Sequence, residues 1–347
     1  MITFNPLTGV GLLFAAFIST VVGTRGYRSL AVRRGIVANP NFRSLHQRPI
    51  PRGAGIVFSL VCISAITALW LAGMISSNLT LALVVGGGVA TLVGFVDDTR
   101  QLRARSKLLA QGILAALVLF CFDLQPLIHL PQVPAFLDFV FSWLGLVWLM
   151  NVYNFIDGID AMAATAAIFV SAAAALVLFV EGTQKVMPAD VGVMLVFGLV
   201  AVCSFGFLIF NWPPASMFMG DSGSLFLGFV FGAMIAKTVL DDQMSMWTWV
   251  IIFGYLAGDT TTTTILRIFV TSKWYGEHRS HAYQNLARIW GSHLTVVVGV
   301  TLFHLLWILP LAIWSALMPA TAPLAALFAL LPVVLWTLRN GPMRSSS

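Results

Sequence analysis

Residues Leu79 to Asp98 read LTLALVVGGGVATLVGFVDD, an uncharged run closed by two adjacent carboxylates. About 20 apolar residues suffice for a helix to cross a bilayer while satisfying its own backbone hydrogen bonds. The run therefore reads as a membrane span that delivers Asp97 and Asp98 to its rim. Side by side there, the two carboxylates repel, and a cation such as Mg²⁺ between them and a phosphate would relieve the repulsion. Arg100, Arg103, Arg105 and Lys107 follow directly. A candidate metal site and a candidate anion site thus share one rim.

Working outward, the rest of the chain has the same character. It is 59% hydrophobic and 9% charged, with mean hydropathy +0.92, which excludes an ordinary soluble surface. The spacing of apolar runs predicts an all-α polytopic membrane protein of about eleven transmembrane helices: 10–23, 53–73, 79–96, 108–122, 136–155, 161–180, 191–210, 224–240, 247–269, 294–317 and 323–338. Residues 1–347 form one integral membrane domain on this reading, with no room for a second. The formal charge of +6 is no nucleic-acid signature in such a chain. The first run carries no basic residue ahead of it, which argues against a secretory signal peptide. Cys62, Cys121 and Cys203 lie singly in apolar runs, lack metal-ligand spacing and read as packing residues.

Basic residues orient the chain. Arg25, Arg28, Arg33, Arg34, Arg43, Arg48 and Arg52 fall in the expected loop after the first span. With that loop in the cytoplasm, every Lys and Arg except Lys185 and Lys237 lies inside. The N-terminus is then outside and the C-terminus cytoplasmic. The same topology gathers Asp97, Asp98, Asp157, Asp160, Asp221, Asp259 and Glu277 on the inner side. The loops around Asp157 to Asp160 and around Asp221 contain no basic residue, so ion pairing within those loops does not explain their acids. They read as ligands or catalytic groups.

Three stretches carry this reading further. Asn154, Asp157 and Asp160 recur every third position and would form a polar edge if the helix continues through them, although Asn and Asp also cap helix ends. In Phe218-Met-Gly220-Asp221-Ser-Gly223-Ser224 the glycines suit close backbone approach to a phosphate at a helix N-terminus, with Asp221 free for a metal; the plainer reading makes Asp221 an N-cap. The Trp274 to Arg288 stretch offers His278, Arg279, His281 and aromatic residues for a phosphate or a sugar, against the alternative of an amphipathic surface segment. Gly86 to Gly88 permits close helix approach, and Thr260 to Thr264 can return hydroxyl bonds to the preceding turn. His129, His293 and His304 show no partner in the sequence and receive no role.

His46-Gln-Arg48-Pro-Ile-Pro-Arg52-Gly53, Asp97-Asp98 with Lys107, Asn154-Phe-Ile-Asp157-Gly-Ile-Asp160, Phe218-Met-Gly-Asp221-Ser-Gly-Ser224 and His278-Arg279-Ser-His281 occur in that order. Together they make the chain resemble the polyprenyl-phosphate N-acetylhexosamine-1-phosphate transferases, of the glycosyltransferase family 4 type, over essentially its whole length. The resemblance implies a bacterial inner-membrane, multi-pass enzyme with its active site on the cytoplasmic face. Its substrates would be undecaprenyl phosphate and a UDP-amino sugar, and UMP would be released. It further implies Mg²⁺, or Mn²⁺, held by Asp221 and Asn154, with Asp97, Asp98 and Asp221 catalytic. Arg48, Lys107, Asp157, Phe218, His278, Arg279 and His281 would bind substrate. The lipid bilayer is the partner surface, no nucleic acid is involved, and a homodimer is compatible with the reading.

His278-Arg279-Ser280-His281 stands where the peptidoglycan branch has a triple-histidine run. The expectation is therefore an initiator of a surface polysaccharide of the O-antigen type, with sugar recognition in the Trp274 to Arg288 stretch. The competing class is a secondary transporter using rim carboxylates. Transporter acids belong near the midplane and such folds often show a repeat, whereas these acids gather at span ends and the halves show none.

Overall fold

The computed structural model describes residues 6–38, 49–128, 133–184, 189–270 and 280–342. Helices dominate. In chain order they are α1 (Pro6–Arg34), α2 (Gly55–Leu71), α3 (Ser77–Arg100), α4 (Ala104–Cys121), α5 (Ala135–Ile156), α6 (Met162–Gln184) and α7 (Val191–Asn211). Then follow α8 (Asp221–Leu240), α9 (Met246–Ile252), α10 (Gly254–Val270), α11 (Ala282–Trp290), α12 (His293–Leu317) and α13 (Ala322–Asn340). Among the described residues the one sheet is an antiparallel pair of two-residue strands, β1 (Val37–Ala38) and β2 (Ile50–Pro51).

All eleven expected runs are helical, but among the described residues nine helices are long and apolar enough to cross a membrane. The second run is the shorter Gly55–Leu71. The ninth breaks into α9 and α10 at Phe253, whose ring lies against Tyr153, Phe231 and Trp249. Hydropathy sees the apolar content of that segment and not the interruption at an aromatic cluster. A second correction concerns α1, which continues helical to Arg34. Arg25, Arg28, Arg33 and Arg34 therefore stand on a helix and not in a loop.

At the centre is α8, whose side chains are buried almost throughout from Ser222 to Ala236. A helix apolar on every side belongs inside a bundle, and α2, α3, α4 and α5 all pack around this one. Small residues set the closest approaches. A Cβ on Gly94 of α3 would lie 2.2 Å from the Asp221 carbonyl oxygen, so only glycine lets α3 pass the start of α8. The Gly86–Gly88 expectation holds at two positions: Gly86 faces Phe229 and Gly87 faces Phe226, while Gly88 has open space. Thr260 and Thr264 return their hydroxyls to the Leu256 and Thr260 carbonyls, as expected.

Two residue types gain partners that the sequence hid. The thiols of Cys62 on α2 and Cys203 on α7 are buried as neighbours of each other. His304, within a π-helical turn of α12, is buried with its ring stacked on Phe169 at 4.3 Å.

Candidate active site

The end of α3, the start of α4, the end of α5 and the start of α8 meet at one end of the bundle. Lys107, in the first turn of α4, places its Nζ 2.7 Å from Asp97 Oδ2 and also donates to Asp221 Oδ2. Asn154, near the end of α5, donates from Nδ2 to Asp221 Oδ1 at 2.8 Å and to Ser224 Oγ at 3.1 Å. Residues 97, 107, 154 and 221 thus form one connected polar cluster drawn from four helices. Asp97 is held at its other oxygen by the Leu102 N–H, 2.7 Å away, in the turn after α3. Gln101 makes that turn in the left-handed region at φ 50°. An amide pair braces the cluster one turn deeper: Asn151 Nδ2 donates to Gln111 Oε1 at 2.9 Å. Gln111 lies four residues beyond Lys107, and Asn151 three before Asn154, so this pair fixes α4 against α5 below the reactive groups.

Asp98 is employed differently from what adjacency predicts. Its carboxylate turns away from Asp97 and accepts the N–H groups of Asp221 at 3.0 Å and Ser222 at 3.1 Å. The Arg52 guanidinium donates to the Asp98 carbonyl. Asp157 lies beside the preceding N–H, that of Gly220. The first N–H groups of a helix have no partner within it and sit at its positive end, so carboxylates are the natural acceptors there. Two readings of the Phe218 to Ser224 stretch are corrected, the backbone approach to a phosphate and the Asp221 N-cap. The glycine-flanked turn offers these N–H groups to the protein's own acids and not to a phosphate. Asp221 is the first helical residue and not the N-cap, which is Gly220 at φ 75°. A Cβ at Gly220 would come within 2.5 Å of both Asp98 carboxylate oxygens.

The polar edge expected from Asn154 to Asp160 does not form, because α5 stops at Ile156 and turns follow to Met162. Each acid of the turn is used separately. Asp160 accepts the Ala215 N–H at 3.0 Å, and its Oδ2 lies 3.2 Å from Nδ1 of His293. His293, given no role from sequence, therefore helps fasten this loop. Asp157 has its carboxyl pushed well above the usual range, first by burial and then by the negative charges of Asp221 and Asp98.

Phe218 lies in an extended segment whose backbone pairs with the chain entering α2: its N–H donates to the Pro51 carbonyl at 2.8 Å, and its carbonyl accepts from Ala54 at 3.2 Å. His281 is buried at the N-cap of α11, its ring 5.5 Å from that of Phe155. Tyr283 and Gln284, within the stretch expected to read the sugar, are buried against the 154–160 segment. The Tyr283 hydroxyl donates to the Phe155 carbonyl at 2.5 Å. Arg48, His278 and Arg279 lie outside the described residues.

Among the described residues, no group of three or more His, Cys, Asp or Glu side chains is gathered to hold a metal ion. The cluster instead offers two carboxylates and an amide, all hard oxygen donors, with the Lys107 ammonium between the carboxylates. Mg²⁺ characteristically takes one or two carboxylates and completes its shell with water and substrate phosphate. The donor set fits that demand.

A polytopic helical protein with an acid, amide and lysine cluster at the ends of its spans is the class defined so far. Residues 80–239, which hold Asp97, Lys107, Asn154 and Asp221, match the model of Glycosyl transferase family 4. The probable undecaprenyl-phosphate N-acetylglucosaminyl 1-phosphate transferase of Bacillus subtilis is 27% identical over 304 residues, 84% of this chain and 80% of that one. The phospho-N-acetylmuramoyl-pentapeptide-transferase of Rickettsia montanensis is 30% identical over 302 residues, 77% of this chain and 80% of the relative. The decaprenyl-phosphate N-acetylglucosaminephosphotransferase of Mycolicibacterium smegmatis is 31% identical over 247 residues, covering 67% and 60%. The chain belongs to glycosyl transferase family 4.

Proposed function

We propose that the protein transfers an N-acetylhexosamine-1-phosphate from a UDP-sugar to a polyprenyl phosphate such as undecaprenyl phosphate. A phosphate oxygen of the lipid attacks the β-phosphorus of the donor, the bond to the α-phosphate oxygen breaks, and UMP leaves. The observation that carries this reading is the Lys107 bridge between Asp97 and Asp221, with Asn154 on the second oxygen of Asp221. Two anions must meet for this chemistry, and fixed cations and metal-ligating oxygens are what offset their repulsion.

Asp221 and Asn154 would hold Mg²⁺ or Mn²⁺, with Asp97 beside them. When bound, the ion would neutralise pyrophosphate charge and stabilise the departing UMP. Lys107, released from one carboxylate by that ion, would supply its positive charge to a phosphate. Asp97 positions Lys107 and is in place to take a proton. Much of the acceptor is already dianionic at neutral pH, because a phosphate monoester has its second pKa near ~6. Asp157 and Phe218 border the cluster and would meet the nucleotide, while Arg48, His278, Arg279 and His281 would meet phosphate or lipid. The relatives' names concern N-acetylglucosamine and N-acetylmuramoyl-pentapeptide, which makes UDP-N-acetylglucosamine the first donor to assay. The O-antigen type of product rests on the His278 to His281 departure alone.

The test uses the full chain in detergent with Mg²⁺, undecaprenyl phosphate and a panel of UDP-N-acetylhexosamines. UMP and a lipid pyrophosphoryl sugar are expected, and excess chelator should abolish both. No UMP from any donor would overturn the reading, and undiminished turnover in chelator would remove the metal from it. The cytoplasmic placement has its own check in intact cells. A cysteine at Ser106 should be shielded from an impermeant thiol reagent, and one at Thr183 should be labelled.

A further inference from the structure

Asp259 is a buried acid that the proposed chemistry leaves unused. It lies on α10 with 1% of its surface exposed. Its Oδ1 accepts the Ala282 N–H at 3.1 Å and the Thr337 hydroxyl at 3.0 Å. Its Oδ2 faces Nδ1 of His281 at 3.7 Å, and that imidazole is also buried. A buried carboxylate persists only where hydrogen bonds or an opposite charge compensate it. Here the acceptor side is spent on backbone and hydroxyl, and the remaining oxygen is aimed at one imidazole. Carboxylates set against one ring nitrogen of a functional histidine fix which nitrogen carries the proton and how the ring stands.

The contacts continue to the cluster. His281 caps α11, and Tyr283 and Gln284 in the first turn of that helix press on Gly158. A Cβ at Gly158 would lie 2.1 Å from Gln284 Nε2 and 2.3 Å from the Tyr283 hydroxyl. Tyr283 also holds the Phe155 carbonyl. The turn that carries Asp157 therefore rests directly on the start of α11. On the other side, α10 presents Thr263 and Arg267 at successive turns from Asp259, and Arg267 reaches Ser280.

We infer that Asp259 is a positioning residue: its carboxylate sets the protonation and orientation of His281 and seats α11 beneath the Asp157 turn. The inference rests on the proposed transfer reaction for its kinetic consequence and not for its structural one.

The experiment records ¹⁵N signals of the His281 imidazole in the full chain in detergent, assigned by their loss in His281→Gln. In the native protein the proton is expected on Nδ1, facing Asp259. Asp259→Asn, which keeps an acceptor for Ala282 and Thr337 but removes the charge, should shift both ring nitrogens. Thr337→Val, which touches only the other oxygen, should leave them in place. In the transfer assay Asp259→Asn should lower kcat by about 10- to 100-fold, the scale on which functional histidines lose activity without their orienting carboxylate. KM for the donor should stay within about threefold, and the double variant with His281→Gln should be no worse than His281→Gln alone. A bare Nδ1 in the native protein overturns the inference, and so does an unchanged ring in Asp259→Asn or additive losses in the double variant. If Asp259→Asn does not fold, the native Nδ1 state decides alone. Should no donor be turned over, the proposed reaction fails while the ring signals still report on Asp259.

Discussion

Asp97 and Asp98 are neighbours in sequence, yet the structure gives them opposite work. A helix turns about 100° per residue. Asp97 is thereby carried to the face where Lys107 and Asp221 meet, and Asp98 to the face that meets the backbone of α8. The first region is a set of charges held by one another, whose partners a substrate or ion can replace. The second, with Asp98, Asp157 and Asp160, is a set of carboxylates facing N–H groups of another segment. An acid at a membrane rim can thus serve chemistry or fasten the elements that present the chemistry. Only its partners distinguish the two.

The comparison breaks most directly at Asp221, the one residue common to both regions through its carboxylate and its N–H. Asp221→Asn keeps the N–H to Asp98 but loses the charge facing Lys107 and Asn154. Turnover should fall by about 10³-fold, the scale of losing a preorganised electrostatic group. Circular dichroism and the thermal midpoint should stay near the native values. A variant with near-native turnover would dissolve the distinction.

Lys107→Met comes next. It removes the cation between Asp97 and Asp221 while keeping the length of the side chain, and kcat/KM should drop by about 10²-fold. The Asp97 and Asp221 carboxylates then face each other without a counter-charge, so the variant should need a lower Mg²⁺ concentration for half-maximal activity. An unchanged Mg²⁺ requirement would show that Lys107 does not share a site with the ion.

On the fastening side, Asp98→Ala leaves two N–H groups at the start of α8 without acceptors. Each buried unsatisfied donor costs about 1 to 3 kcal/mol, so the thermal midpoint should fall clearly. Asp98→Asn retains one acceptor oxygen and should recover part of that stability. A large loss of activity in Asp98→Asn with no change in the midpoint would instead return Asp98 to the catalytic set, where the family resemblance had put it.

How much of this was legible in the sequence follows from the range of each interaction. Helical runs and their order depend on local hydropathy, and these hold; Asp97, Asp98, Asp157, Asp160 and Asp221 stand at or just beyond helix ends, whereas Asp259 lies within α10. Lys107, Asn154 and Asp221 were singled out through the resemblance of the motifs that hold them, and the structure brings the three side chains together. The capping of α8 by Asp98 was not legible, because the acceptor and the N–H groups are more than a hundred residues apart. Distance along the chain likewise hides Asp160 with Ala215, 55 residues apart, His293 with Asp160, and the thiol pair of Cys62 and Cys203. Tyr283 and Gln284 misled for a related reason: aromatic and amide side chains that suit a sugar suit a buried loop contact equally well. The one sequence hint for the fastening role is Gly94, four residues before Asp98, where close backbone approach demands the absence of a side chain.

The smallest expected effect lies beneath the cluster, where neither region's charges reach. Gln111 and Asn151 exchange hydrogen bonds between α4 and α5, and Gln111 is fully buried. Gln111→Leu replaces the amide with an apolar group of similar size but leaves Asn151 without its partner. The lost bond is worth about 1 kcal/mol, and Asn151 retains its Val147 carbonyl. Stability should therefore change little. Activity is the sharper reading, because α4 carries Lys107 and α5 carries Asn154, one turn above the pair on each side. If the amide pair sets their register, kcat should fall severalfold while the thermal midpoint barely moves. Equal, small changes in both would mean that the cluster holds itself in register through Asp221 alone, and that the reactive region needs no brace from below.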